Sequence, residues 1–343
     1  MKPLKSRIAE LPNNLASSSA KYYLFKDIDE LAFFLPEDVC LTPLEREPFK
    51  CESVALNLGA VQFNFNYVNR NLHAFGDKQR DFLTFAMILK GKGQQGIENR
   101  RLVTEDYLFG FDPERKADLV FPGGCLYCAV YIRPDVFEAC IQTLDRPDLD
   151  ASFLAENYVH MPESFPCLRA YLEQLYELLI QRSPLLLKPG FQRIVLEDFL
   201  LLFVTSLPAQ RSYKIAGTFF RRSHLVKKAD EYMRSHLDQP LTLTDLCEAL
   251  DTSSRALCYG FQELFGRSPI AYLKILRLQG VYRALKVANP NQETVTEIAT
   301  LFGFYHLGYF ARDYKQMFGE LPSVTLKRGN YPSFIRLREL EWR

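Results

Sequence analysis

The chain has 343 residues, 48% hydrophobic and 24% charged, with a net charge of +1. These values exclude disordered and collagen-like chains, and the length exceeds what one core usually supports, so two domains are expected. Eight scattered cysteines read as buried thiols of a reducing compartment, not as a disulfide framework.

At the N-terminus, MKPLKSRIAELPNNLASSSA lacks the apolar stretch of a secretory signal. The most apolar run, FLLLFVTSLPAQ (199–210), is too short to span a bilayer, so a cytoplasmic protein without a membrane partner is expected. Strands come first. In VQFNFNYV, Val61, Phe63, Phe65 and Tyr67 alternate with Gln62, Asn64 and Asn66, the period of a sheet with one apolar and one polar face. FLTFAMIL (82–89) reads as a fully buried strand before the turn KGKGQQG, and CLYCAVYI (125–132) follows a PGG turn. Short strands separated by glycine turns favour a β-barrel or sandwich over a parallel α/β sheet. If Phe63, Phe65 and Phe85 point inward, they line an apolar pocket suited to a small-molecule effector.

From Pro134 the period becomes helical, and two long amphipathic helices near 165–206 are placed to pair two chains as a homodimer. PAQRSYKIAGTFFRR (208–222) has no period and reads as a linker. From Arg221 onward 18 Lys+Arg stand against 13 Asp+Glu, leaving the rest of the chain slightly acidic. A basic end on an acidic body points to an anionic partner for the C-terminal part.

That part contains an internal repeat. LTLTDLCEALDTSSRALCYGFQELFGRSP (241–269) lies on ETVTEIATLFGFYHLGYFARDYKQMFGELP (293–322), with an offset of 52 residues before the turn and 53 after it. Leu257, Phe261, Phe265, Gly266 and Pro269 thereby match Phe310, Tyr314, Phe318, Gly319 and Pro322. Each copy reads as a short helix, a tight turn and a longer helix, the helix-turn-helix layout. Gly303 suits the left-handed turn residue of the second copy, a conformation Asp251 adopts less comfortably in the first. In the second long helix, Phe310, Tyr314 and Phe318 form the core stripe. This leaves His306, Gly308, Tyr309, Arg312, Lys315 and Gln316 on an outer basic and aromatic face, of the kind a recognition helix presents to the major groove. SPIAYLKILRLQGVYRALKVA (268–288) reads as one helix of roughly 30 Å. That is close to the roughly 34 Å between successive major grooves on one DNA face.

The isoleucine–alanine pair Ile298-Ala299, then Gly303-Phe304, the spaced aromatics, Phe318-Gly319 and Pro322-Ser323 resemble the AraC/XylS family of transcription regulators, over about 110 residues from His224 to Lys327. Within it, the second copy is most similar to the ethanolamine-operon regulator subgroup. The resemblance implies an α+β multidomain chain: a cupin-like β-barrel sensor (1–145), dimerising helices (146–207), the linker (208–222) and an all-α double helix-turn-helix (223–343). It implies double-stranded DNA as partner, read by helices at about Ser253 to Phe265 and His306 to Phe318, and RNA polymerase as a further partner. The DNA-facing residues expected are Ser254, Arg255, Cys258, Tyr259, Arg267, His306, Gly308, Tyr309, Arg312 and Lys315. Two of them depart from the family pattern: Tyr259 stands where many relatives carry arginine, and Gly308 offers little side chain.

Other chemistry is poorly supported. Cys125 and Cys128, at i and i+3 of a strand, point to opposite faces and suit neither a disulfide nor a shared metal. His73, His160, His224, His236 and His306 form no close pair in sequence, and no nucleophile elbow, zinc motif or phosphate loop appears, so neither cofactor, metal nor catalytic residue is expected. The rivals are a cupin-type enzyme or an alkyl-accepting DNA-repair protein with a DNA-binding appendage, and a DNA-architectural protein without a ligand.

Overall fold

The structure, a computed structural model, describes residues 19–35, 39–91, 93, 95–99, 101–208 and 222–328. Strand β1 (Ser19–Phe25) is followed by a short helix α1 (Ile28–Phe33), then β2 (Cys40–Pro43), β3 (Cys51–Asn57), β4 (Val61–Val68), β5 (Leu72–Gly76) and β6 (Leu83–Lys90). β7 (Gly96–Glu98), β8 (Arg101–Val103), β9 (Tyr107–Phe109), β10 (Ala117–Phe121) and β11 (Cys125–Ile132) follow. Helices α2 (Pro134–Thr143) and α3 (Ala151–Glu156) then lead to β12 (Tyr158–His160) and the long helices α4 (Phe165–Ile180) and α5 (Pro189–Ser206).

The strands form two antiparallel sheets, ordered β1-β3-β4-β11-β6-β9-β12 and β2-β5-β10-β7-β8, not one closed barrel. The alternation in β4 holds, with Phe63 and Phe65 fully buried and Gln62, Asn64 and Asn66 half-buried; Tyr67, at the strand's end, is 38% exposed. The apolar face, however, does not look into a hollow. Phe63 meets Phe199 edge-on at 4.8 Å, Phe85 meets Phe203 at 4.8 Å, and Phe65 lies 5.4 Å from Tyr176. Phe63, Phe65 and Phe85 thus seal the seven-stranded sheet against α4 and α5, which corrects their expected role as a pocket lining. It is the polar face, with Gln62, Asn64 and Asn66, that lines a groove of about 280 Å³ beside β1 and α1. Alternation defines two faces of a strand but not which of them receives the helices.

Cys128 packs into the core shared with the helices and Cys125 into the core on the other side of the sheet, opposite faces as their spacing predicts. Where the ends of the two sheets meet, a buried polar network replaces apolar packing. Asn157 takes a left-handed conformation that ends α3, and its Nδ2 donates to both carboxylate oxygens of Glu98 at 2.9 Å. Lys78 Nζ donates to the Asp112 carbonyl at 2.8 Å and to Asn157 Oδ1 at 3.2 Å. Burial pushes the Glu98 carboxyl up to about 7 and the Lys78 ammonium down to about 8.

The second half is wholly helical among the described residues: α6 (Ser223–Ser235), α7 (Leu243–Ala249), α8 (Ser254–Phe265), α9 (Pro269–Val287), α10 (Val295–Leu301), α11 (Leu307–Phe318) and α12 (Pro322–Arg328). The expected linker lies outside the described residues apart from Pro208 and Arg222. The helical half docks on the β-domain through a mixed seam. Leu44 and Ile97 enter the core built by Val226, Leu257, Phe261 and Phe265. The Asp27 carboxylate accepts from the Tyr282 hydroxyl at 2.6 Å and from Lys286 Nζ at 2.7 Å, while Arg283 pairs with Asp29 at 2.8 Å.

Candidate nucleic-acid interface

Each copy of the repeat folds by the same local rules. Thr242 and Asp245 form a capping box on α7, and Thr294 and Glu297 form its counterpart on α10, so each first helix starts where its backbone donors find partners. The turns that follow need positive φ, supplied by Asp251 at +48° and Gly303 at +78°. The longer helices α8 and α11 end at Gly266 and Gly319, both left-handed. Inside, Leu257, Phe261 and Phe265 are buried in the first copy, and Phe310, Tyr314 and Met317 in the second, with Phe318 stacked on Tyr282 at 4.4 Å. The nineteen residues of α9 join the copies as one rigid rod, about 28 Å long at 1.5 Å per residue.

Most of the positions expected to face DNA lie outside the core. Ser254, Arg255 and Tyr259 on α8 are exposed, as are Gly308, Tyr309, Arg312 and Lys315 on α11 and His306 at its N-cap. Cys258 and Arg267 are only partly exposed, and burial lowers the affinity of the Arg267 guanidinium for its proton, in the fields of Glu45 and Arg46 from the β-domain. The exposed faces share a pattern. In α8 the Arg255 guanidinium lies 5.5 Å from the Tyr259 ring, and in α11 Arg312 lies 5.2 Å from Tyr309. A guanidinium held over an aromatic ring keeps its planar donor fork extended, ready for base edges or phosphates. By the repeat's offset, Tyr259 and Arg312 are equivalent positions, and Arg255 is equivalent to Gly308. The two copies therefore present their arginine one helical turn apart.

Asp313 was not anticipated. It is buried in α11 and pairs with Lys274 of the rod, with Arg46 of the β-domain at 3.2 Å and with Arg312 at 3.8 Å. Its sequence signal was an acid standing directly before the buried aromatic Tyr314. Arg46, from the segment between β2 and β3, carries no comparable signal, because nothing local says which distant helix it meets. Among the described residues, no group of three or more His, Cys, Asp or Glu is placed to hold a metal ion, and no helix is long and apolar enough to cross a membrane.

Two helix-turn-helix units on one rod, each with a stacked arginine and tyrosine outside, define a DNA-binding module. Residues 246–328 match the family model described as a helix-turn-helix domain. Over 103 residues, or 30% of this chain, the sequence is 43% identical to the probable thc operon regulatory protein of Rhodococcus erythropolis, covering 31% of that protein. Over 111 residues, or 32% of this chain, it is 34% identical to XylDLEGF operon transcriptional activator 3 of Pseudomonas putida, covering 34% of that protein. The chain thus spans about a third of the length of these curated relatives. A solved structure of a probable AraC family transcriptional regulator from Rhodopseudomonas palustris is 40% identical, with a TM-score of 0.29, over 31% of this chain and 97% of that one. The C-terminal module is thus a helix-turn-helix domain similar to a part of these operon regulators.

Proposed function

We propose that the whole chain is a sequence-specific, DNA-binding transcription regulator of the cytoplasm, active as a homodimer and responsive to a small molecule. The observation that carries this reading is the pair of exposed arginine–tyrosine stacks on two recognition helices fixed by a single rod. The named relatives are regulators of operons, which favours regulation over catalysis and is compatible with RNA polymerase as a further partner. Ile180, Leu185, Leu187 and Ile194 leave an apolar outer face on α4, α5 and the turn between them, which suits the pairing of two chains. The effector site we favour is the polar groove of β4, where Asn64, Asn66 and Gln62 face Ser53 and Tyr131. Selecting bound duplexes from a random DNA pool with the full chain tests the central claim. Recovery of a motif with two boxes about one helical turn apart is expected, and recovery of unrelated sequences would refute it.

A further inference from the structure

Residues 44–50, between β2 and β3, lie along the DNA-binding module and touch both of its helix-turn-helix units. Leu44 enters the core of the first unit, in which Phe261 and Phe265 of α8 are buried. Arg46 Nη1 donates to Asp313 Oδ1 in α11 at 3.2 Å. Pro48 Cγ stands 3.4 Å from where a Cβ on Gly319 would sit, at the end of the same helix. The intervening residues face the other way. Glu45 Oε2 accepts from the Asn71 backbone N–H at 3.2 Å, and Phe49 is buried in the β-domain with the Arg70 guanidinium 5.5 Å from its ring centre. The turn between β4 and β5 holds the segment's backbone along its length. Leu44 N–H donates to the Asn71 carbonyl at 2.8 Å, Arg70 Nη1 to the Glu45 carbonyl at 3.0 Å, and Asn69 Nδ2 to the Pro48 carbonyl at 3.0 Å. A segment tied in this way moves with the β-domain and not as a loose loop.

Asp313 is where this clip meets the DNA-facing surface. Its side chain is 3% exposed, and its Oδ1 meets two guanidinium groups: Arg46, within hydrogen-bond distance, and Arg312, beyond it at 3.8 Å. Lys274 takes the other oxygen, Oδ2. Arg312 therefore stays beside the Tyr309 ring, exposed on the side that the docked β-domain leaves open. Without Arg46, Oδ1 would be a buried anionic acceptor with no hydrogen bond, a state costly enough that the nearest remaining donor closes on it. That donor is Arg312, the residue directly before Asp313.

We propose that Arg46 is a positioning residue for DNA recognition: by hydrogen-bonding Asp313 it leaves Arg312 directed outward, so that the second recognition helix reads its bases at full strength only while Arg46 is docked. The inference rests on the regulator reading and adds to it a route by which the β-domain acts on one box of the DNA site and not on the other.

The test uses the full chain, the duplexes it selects, and fluorescence anisotropy. Arg312→Ala first marks the box read by α11, as the one whose scrambling removes that variant's deficit. Arg46→Met should then bind the operator at least about threefold more weakly than the natural chain, and bind a duplex with that box scrambled equally well. Arg46→Lys, which keeps a donor and the charge, should recover most of the loss. In the Arg312→Ala background Arg46→Met should add nothing, whereas a merely structural role would weaken both boxes and add to Arg312→Ala. Independently of DNA, hydrogen exchange in Arg46→Met should quicken in the amides of α11 and not in those of α8. Circular dichroism melts establish that each variant is folded, and if Arg46→Met is not, Arg46→Gln takes its place. Unchanged exchange in α11 overturns the contact. A loss shared by both boxes, or one additive with Arg312→Ala, overturns the positioning role. If the natural chain selects no motif, the regulator reading fails and this inference with it; a motif that the natural chain and Arg46→Met bind alike overturns this inference alone.

Discussion

Replacing Arg312 by alanine should weaken binding to the selected operator while leaving the fold intact. The side chain is 69% exposed, and its ion-pair partner, the adjacent Asp313, keeps Lys274 and Arg46 when Arg312 is removed. An exposed substitution of this kind changes stability by no more than about 0.5 kcal/mol. A bidentate arginine–guanine contact contributes about 1–3 kcal/mol, so the loss on the operator should be roughly 5- to 150-fold. Arg255→Ala should behave alike, because its stack on Tyr259 also leaves the guanidinium free to reach a base. Lys315, exposed toward the end of α11, is the residue we assign to a phosphate, and its removal should weaken operator and random duplex equally while reducing the salt slope by about 0.9. Fluorescence anisotropy with operator and scrambled duplexes, at salt concentrations from about 50 to 200 mM, measures all of these quantities. If Arg312→Ala and Arg255→Ala lose the same factor on both duplexes, the two helices act only as an electrostatic surface and the groove-reading assignment fails.

Glycines give a contrasting pair. A Cβ at Gly308 meets nothing within 4 Å, so Gly308→Ala should raise the melting temperature through helix propensity, by up to about 1 kcal/mol. A Cβ at Gly280 falls 2.3 Å from the Phe302 ring, and crowding of about 1–3 kcal/mol should exceed the same helical gain, so Gly280→Ala should lower the denaturation midpoint. At the seam, Asn retains the helix cap of Asp27 but not its charge, and a double-mutant cycle of Asp27→Asn with Lys286→Met should return a coupling of about 0.5–3 kcal/mol; a value near zero would mean that the domains do not dock through this pair in solution. Glu98 carries a folded pKa above its unfolded value, so the native state binds more protons between about 4.5 and about 7 and stability falls as pH rises through that window. Denaturant melts at pH 5 and pH 7.5 should show this fall in the natural chain and not in Glu98→Gln, whatever the variant's absolute stability.

The DNA-binding half was legible because its rules are local. Capping residues, turn glycines and a stripe at three- and four-residue spacing all lie within one short segment, and α8, α9 and α11 fall within a residue or two of the predicted spans. The strands at 61–68 and 125–132 were read to the residue, since each alternates or runs apolar between turns. Hidden from the sequence was everything set by distant neighbours. Which face of β4 meets α5 depends on residues more than a hundred positions away, and so the aromatic face was assigned to a pocket. The three-residue strand β12 has no periodicity to detect and exists because β9 offers it an edge. The seam contacts of Asp27 and Arg46 join residues more than 250 positions apart, beyond the reach of any spacing argument.

The shifted arginines of the two copies have a consequence for the DNA itself. On the regulator reading proposed above, a module with Arg255 in one reader and Arg312 one turn further along in the other cannot treat its two boxes as interchangeable, because each box meets a differently shaped reader. The bound site therefore has a head and a tail. Turning it end for end beside a promoter leaves every base pair present, yet it points the protein, and whatever the β-domain touches, the opposite way along the chromosome.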